Sequence, residues 1–320
     1  MKKDLKIGIA LGSGSARGLA HIGVLKVLQE AGINIDFIAG SSIGAMIGAA
    51  YALHGDVAPL LDVAYKTTKK PIDLMIDPAF PIKGMVSGKK IEALLDDFGF
   101  KGKEFRDLKI PTIIIATDIL RWRKIALTQG GLTKAIRASI SIPGIFSPVR
   151  YGDTYLVDGG VTDPVPVKPL REAGIDFVIG VGLFPPPDIS IIWDLIDNEK
   201  SLVAINQEVE ERKAFYEFIL RLGKEKVLSG INWLRTEVVE GPNIIETIFT
   251  SINIMQRELS FRSLEKADIA IVSPDLKGFS LLDFHKAPEI IEKGEKAARK
   301  ILPLLEKKLQ EKEKSALLIS

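Results

Sequence analysis

The chain has 320 residues, with 43 lysines and arginines against 41 aspartates and glutamates, so its net charge is only +2. That balance excludes attachment to nucleic acid through bulk charge, and the absence of cysteine excludes disulfides, thiol catalysis and cysteine-ligated metal. The histidines, His21, His54 and His285, lie far apart without ligand spacing, which argues against a zinc site. Met1 to Lys6 is charged and leads into a short apolar run, unlike a secretory signal, and no apolar stretch approaches membrane-span length. The expectation is a soluble, cytoplasmic α/β protein without a cofactor.

In chain order, Lys6 to Leu11 reads as a buried strand, followed by the loop Gly12-Ser13-Gly14-Ser15-Ala16-Arg17-Gly18. Leu19 to Glu30 has helical periodicity through Leu19, Ile22, Leu25 and Leu28, with Gly32 as its terminator. Phe37 to Gly40 is a second short apolar strand, so the opening is a parallel βαβ unit. A dinucleotide fingerprint fails here. Arg17 stands where its third glycine belongs, and the second strand ends in Gly40-Ser41-Ser42 rather than an acid. A side-chain-poor loop entering a helix nevertheless exposes amides to negative charge, and beside a nucleophile that charge is an oxyanion.

Gly40-Ser41-Ser42-Ile43-Gly44 joins the second strand to the helix-forming run Ala45 to Leu53. Strand, G-x-S-x-G, helix is the context of a nucleophile elbow. Gly40 and Gly44 lack β-carbons, so the backbone can turn sharply and present the Ser42 hydroxyl at the strand's end. The helix behind it aims unpaired N–H groups at the same point.

Tyr51 to Phe100 reads mostly helical, with Ser87 as an N-cap for Lys89 to Phe98 and Gly99 after it. Thr112 to Thr117 and Lys124 to Thr128 are strands, and Leu132 to Ser139 is a helix broken at Ile142-Pro143-Gly144. Asp158 ends the apolar run Tyr155 to Val157 and precedes Gly159-Gly160, which taken alone is a turn signal. Phe177 to Leu183 is another buried strand, Ala270 to Val272 a late one, and Pro288 to Lys314 a closing helix with a solvated Lys/Glu face. Ser315 to Ser320 is expected to fray.

Three blocks in this order resemble the patatin-like phospholipase family: LGSGSARGLAHIGVLKVLQEAGI, AGSSIGAMIGAAYA and LVDGGVTDPVPV. The resemblance extends from about Lys6 to Lys300 and is to bacterial single-domain members. It implies one α/β domain over residues 1–320, a largely parallel central sheet sandwiched by helices, and hydrolysis of acyl esters of lipids. It implies a Ser–Asp dyad in which Ser42 forms an acyl-enzyme and Asp158 takes its proton. It implies an oxyanion hole from the amides of Ser13, Gly14 and Ser15, with Gly40, Gly44, Gly159 and Gly160 shaping elbow and turn. Arg17 matches the family's basic residue, which orients the loop or meets a phosphate; an exposed arginine in the first helical turn is the plain alternative.

A carboxylate is a weaker base than imidazole, with an ordinary pKa of about 3.9 against about 6.5. It can serve if a closed site desolvates it. A Ser42–Asp158–His285 triad also satisfies an α/β-hydrolase order, but His285 lies in LLDFHKAPEI before a charged helix, which favours a solvated residue. His21 reads as a helix residue near the loop and His54 as the end of the elbow helix. A non-catalytic acyl-lipid-binding or regulatory protein is the other class that would keep this pocket.

Between Pro187 and Gly241 the resemblance fades, and apolar residues punctuate a charged, helix-forming sequence. A helical insertion over 187–241 is expected, packing on the domain or on a second subunit; a lid that delivers lipid is the sharper reading. Residues 300–320 are the end of the closing helix and a tail. The expected partner is a lipid or acyl ester, not nucleic acid, with peripheral membrane contact and homo-oligomerisation left open.

Overall fold

Short apolar runs separated by glycine-rich loops and amphipathic helices produce alternating strands and helices, and these stack as helices on both sides of one sheet. The computed structural model describes residues 5–68, 89–184, 244–272, 276, 278–279 and 283–319. Ser87 and the whole of the expected insertion over 187–241 lie outside the described residues.

The strands are β1 (Ile7–Leu11), β2 (Phe37–Ser41), β3 (Thr112–Asp118), β4 (Arg123–Leu127), β5 (Val149–Tyr151), β6 (Thr154–Asp158), β7 (Phe177–Gly182) and β8 (Ile269–Val272). The helices are α1 (Ala20–Glu30), α2 (Ile43–His54), α3 (Ala58–Thr67), α4 (Lys89–Asp97), α5 (Leu132–Ser139), α6 (Val167–Glu172), α7 (Ile244–Leu264) and α8 (Ala287–Ile319). The sheet runs β5-β6-β3-β2-β1-β7-β8, with β4 also on β3. Its centre, from β3 to β8, is parallel, while β4, β5 and β6 add an antiparallel flank.

The central strands are apolar on both faces because helices cover both, as parallel sheets require. Ile9, Leu11, Ile38, Ile114 and Ile179 join one core layer, and Ala10, Ala39, Ile113, Ile115 and Val178 the other. Two features depart from expectation. β5 is a strand that the apolar pattern does not announce, although Gly152 at φ 63° marks its hairpin with β6. The closing helix runs on to Ile319 rather than fraying from Ser315.

The register around β3 positions the site. β2 pairs with Ile38↔Thr112 through Ser41↔Ile115, β6 pairs with Ala116↔Asp158 through Asp118↔Leu156, and β4 pairs with Ile114 through Asp118. A strand has two edges, and β4 overlaps both neighbours, so it holds one edge alone and β2 and β6 divide the other. β2 runs parallel to β3 and β6 antiparallel, so their C-terminal ends converge between Ile115 and Ala116. On the far side of β2, Leu11 is opposite Gly40, so the glycine loop and the elbow leave the sheet side by side.

α8 closes the fold against α1 through glycines. A β-carbon on Gly294 would lie 2.0 Å from the Ala20 carbonyl oxygen, and one on Gly23 would lie 2.1 Å from that of Ile291. Backbone cannot retreat as a side-chain tip can. Gly294→Ala should therefore lower stability by about 3 kcal/mol or more, read as a fall in the urea midpoint with unchanged slope.

Candidate active site

Ser42 is the hinge between β2 and α2. It has φ 55° and ψ −126°, a sparsely populated region for a residue with a β-carbon, and such a conformation costs about 1–3 kcal/mol. A hydrogen-bond relay holds it. The Ser42 N–H donates to Ser139 Oγ at 2.9 Å, and that hydroxyl donates to the Ile115 carbonyl at 2.6 Å. The flanking glycines are needed for space: a β-carbon on Gly44 would meet the Leu11 carbonyl oxygen at 2.2 Å, and one on Gly40 would meet Ala45 Cα at 2.5 Å.

Asp158 arrives from the opposite direction at the end of β6. Its N–H donates to the Ser141 carbonyl at 2.9 Å, and its own carbonyl accepts the Thr117 hydroxyl at 2.9 Å. The carboxylate is fully placed. Oδ2 accepts from Ser42 Oγ at 2.5 Å, and Oδ1 accepts the Gly160 N–H at 2.7 Å. Ser42 and Asp158 are only 5% and 1% exposed. Burial without a neighbouring cation pushes the Asp158 pKa up to about 7, although the Ser42 and Gly160 hydrogen bonds pull it down. Gly159 fits only as glycine, since a β-carbon there would sit 2.3 Å from the Ile115 carbonyl oxygen, whereas one on Gly160 would press at 2.8 Å on the side-chain tips of Ser13 and Gln256.

The glycine loop has a different hydrogen-bond pattern from the expected one. The Ser13 N–H donates to the Pro164 carbonyl at 2.8 Å, so that amide is already engaged and cannot also serve an oxyanion. In the same loop Gly14 has φ 159° and Ser15 has φ 50°. His21 pins the loop from α1, with Nε2 2.8 Å from the Gly12 carbonyl. A carbonyl only accepts, so the proton is on Nε2. Burial lowers the His21 pKa to about 4, which keeps the ring neutral. Arg17 is not the exposed arginine of the plain alternative. It is 8% exposed, and Nε donates to the Phe279 carbonyl at 2.7 Å.

His285 is exposed in the turn before α8, and no hydrogen bond among the described residues joins it to Ser42 or Asp158. His54 ends α2, with Nε2 3.1 Å from the Phe98 carbonyl. Sequence reasoning missed Ser139, which carries no motif of its own, and Gln256 of α7. Gln256 Oε1 accepts from Ser13 Oγ at 3.3 Å, and its amide nitrogen comes within 2.8 Å of where a Gly160 β-carbon would stand. Among the described residues, no cluster of His, Asp and Glu could hold a metal ion.

The family model for patatin-like phospholipase matches residues 9–171, just over half of the chain. The chain belongs to the patatin-like phospholipase family. An uncharacterised NTE family protein of Mycobacterium tuberculosis is 39% identical over 179 residues, covering 56% of this chain and 49% of that protein. A lysophospholipase NTE1 of Pyricularia oryzae is 27% identical over 252 residues, covering 73% of this chain and 17% of its own length. The chain thus spans about half or less of these curated relatives. A crystal structure of VipD from Legionella pneumophila matches with a TM-score of 0.37 and 14% identity, over 95% of this chain and 75% of that one, too loose a likeness to inform the fold. No described helix is long and apolar enough to cross a membrane.

In this family member the buried carboxylate carries a stability consequence. Its pKa is raised to about 7 in the folded chain, against about 3.9 when unfolded. Stability is therefore undiminished below about pH 4, falls as pH rises, and is at its lowest above about pH 7, by up to about 4 kcal/mol. Asp158→Asn removes that charge. Its urea midpoint should rise relative to the parent chain between pH 4.5 and pH 8.

Proposed function

We propose that the protein hydrolyses acyl esters of lipids through an acyl-enzyme on Ser42, with Asp158 as the only general acid–base. The observation that carries this is the 2.5 Å hydrogen bond from Ser42 Oγ to a buried Asp158 whose pKa is raised to about 7. A carboxylate of ordinary acidity would be a feeble base towards a serine hydroxyl; one shifted to near neutrality is matched to the task.

In the reaction, Ser42 Oγ attacks the ester carbonyl carbon as its proton passes to Asp158 Oδ2. The tetrahedral oxyanion forms beside the glycine loop, where the Gly14 and Ser15 amides and the N-terminal end of α2 favour negative charge. Collapse breaks the bond to the alcohol, which leaves with the proton held by Asp158. Water then attacks the acyl-enzyme, gives a proton to Asp158, and releases the fatty acid and the Ser42 hydroxyl. The Gly160 N–H holds Oδ1, which keeps Oδ2 turned towards Ser42. Arg17 acts on the loop from behind, through the Phe279 carbonyl, rather than on substrate.

The substrate class proposed is a lysophospholipid or related lipid ester, supported by family membership and by relatives named as lysophospholipases. A cytoplasmic protein acting at a membrane face suits that substrate and a chain without cysteine.

The experiment is turnover of a soluble short-chain ester and of lysophosphatidylcholine. Ser42→Ala and Asp158→Asn should each lose roughly 10³-fold or more in kcat, and His285→Ala should stay within about twofold. Activity should rise with pH through about 7 as Asp158 ionises. Inactivity of folded His285→Ala would overturn the dyad.

A further inference from the structure

β3 does not stop at the dyad. It passes Ala116, opposite Asp158, and continues through Asp118 into the four-residue loop Ile119-Leu120-Arg121-Trp122 before returning as β4. The loop therefore stands about 10 Å beyond the dyad along the strand, past the C-terminal ends of the parallel strands. Its composition is unusual for a loop tip. Trp122 is 90% exposed and Leu120 57%.

Trp122 also has φ 53°, a left-handed backbone that favours glycine or asparagine and is an outlier for a bulky residue. Turn geometry alone does not call for tryptophan there. The exposed tip is held rigidly from beneath. Asp118 is fully buried, and its Oδ1 accepts the N–H groups of Leu120 and Arg121 at 3.1 Å each and the Thr154 hydroxyl. Arg121 clamps the base, with Nη1 3.2 Å from Asp118 Oδ2 and Nη2 2.7 Å from Asp153 Oδ2.

The register extends the tip into a surface. The β3–β4 register ends at Asp118 with Arg123, and on the other side Asp118 pairs with Leu156, beyond which the Ile119 N–H donates to the Tyr155 carbonyl at 3.1 Å. Tyr155 in turn pairs with the exposed Arg150. Arg150, Tyr155 and Ile119 thus adjoin one another below the tip, and Arg123, with its side chain 61% exposed, has Nε 3.9 Å from Asp118 Oδ2 at the tip's base.

We propose that this hairpin seats the protein on a phospholipid bilayer. The indole and the Leu120 side chain enter the headgroup–acyl boundary, and Arg123 and Arg150 face lipid phosphates. Amphipathic aromatic rings favour that boundary, and exposed guanidinium groups complement the phosphate layer. A second copy of the chain is the rival occupant, because β4 pairs only with β3 among the described strands. Arg123 and Lys124 place two cations on that edge strand, a feature that opposes edge-to-edge pairing. The docking extends the lipid-hydrolase reading, but its binding test does not depend on turnover.

The test uses the full chain, Trp122→Ala and Leu120→Glu, each with melting temperature checked. Co-sedimentation is measured with vesicles of phosphatidylcholine containing phosphatidylglycerol, alongside turnover of soluble ester and of vesicle-borne lysophospholipid. The parent chain should sediment, and both variants should lose at least tenfold in partition and in vesicle turnover with soluble-ester turnover unchanged. Equal partition of parent and folded variants would overturn the proposal. So would a parent dimer that the variants dissociate without change in vesicle binding. Loss of soluble-ester turnover by Ser42→Ala with normal sedimentation supports both readings, whereas an inactive parent chain that still sediments through Trp122 defeats only the hydrolase.

Discussion

Two strands ending against one edge of β3 is the constraint on which the site rests. β2 delivers a serine from one direction and β6 an aspartate from the other, and the pairs Ser41↔Ile115 and Ala116↔Asp158 leave no room for a residue between them. The hydroxyl and the carboxylate are therefore neighbours by backbone hydrogen bonding, before any side-chain preference acts. The same convergence crowds the Ile115 carbonyl. It receives the Ser139 hydroxyl and passes beneath Gly159, where no β-carbon fits. Strain at Ser42 persists because these contacts over-determine its position.

Desolvation, rather than a partner charge, sets the chemistry of the carboxylate. Among the described residues Asp158 has two hydrogen-bond donors and no cation on it, so the loss of water dominates and its pKa rises. Asp118, two residues along the paired strand β3 and equally buried, shows the opposite outcome. Burial there also disfavours the charge, but the Thr154 hydroxyl, the Leu120 and Arg121 amides and the Arg121 guanidinium hold its pKa below the ordinary value. Adjacent acids in one sheet thus divide into a carboxyl group whose pKa is raised to about 7 and one held below the ordinary value as an anion. The difference lies in how many donors each one meets.

The Asp118 anion links the interior to the surface. Asp118 organises the hairpin tip while the same strand, three residues earlier, supports Ser42 through Ser139 and the Ile115 carbonyl. A protein that must take substrate from an aggregated phase needs its reactive groups dry and its contact surface fixed relative to them. On the proposed docking, the single strand β3 joins one to the other.

The amino-acid sequence by itself determined the alternation of strand and helix and the elbow around Ser42, because local glycine geometry and apolar period carry those signals; Asp158 reads locally as a turn, and only the resemblance to patatin-like phospholipases singles it out. The sequence also marked His285 as a solvated residue. It did not determine that the Ser13 amide is engaged by Pro164, that Ser139 supports Ser42, that Arg17 is buried against Phe279, or that Gln256 reaches the loop from α7. Nor did it reveal that Ile119 meets Tyr155 below the exposed tip. Each of these joins residues that local pattern treats as unrelated, and only strand order and register bring them within hydrogen-bond reach. Spacing along the chain encodes the turn at the serine. The meeting of positions 42 and 158, separated by 116 residues, was decided by which edge of β3 each strand occupies.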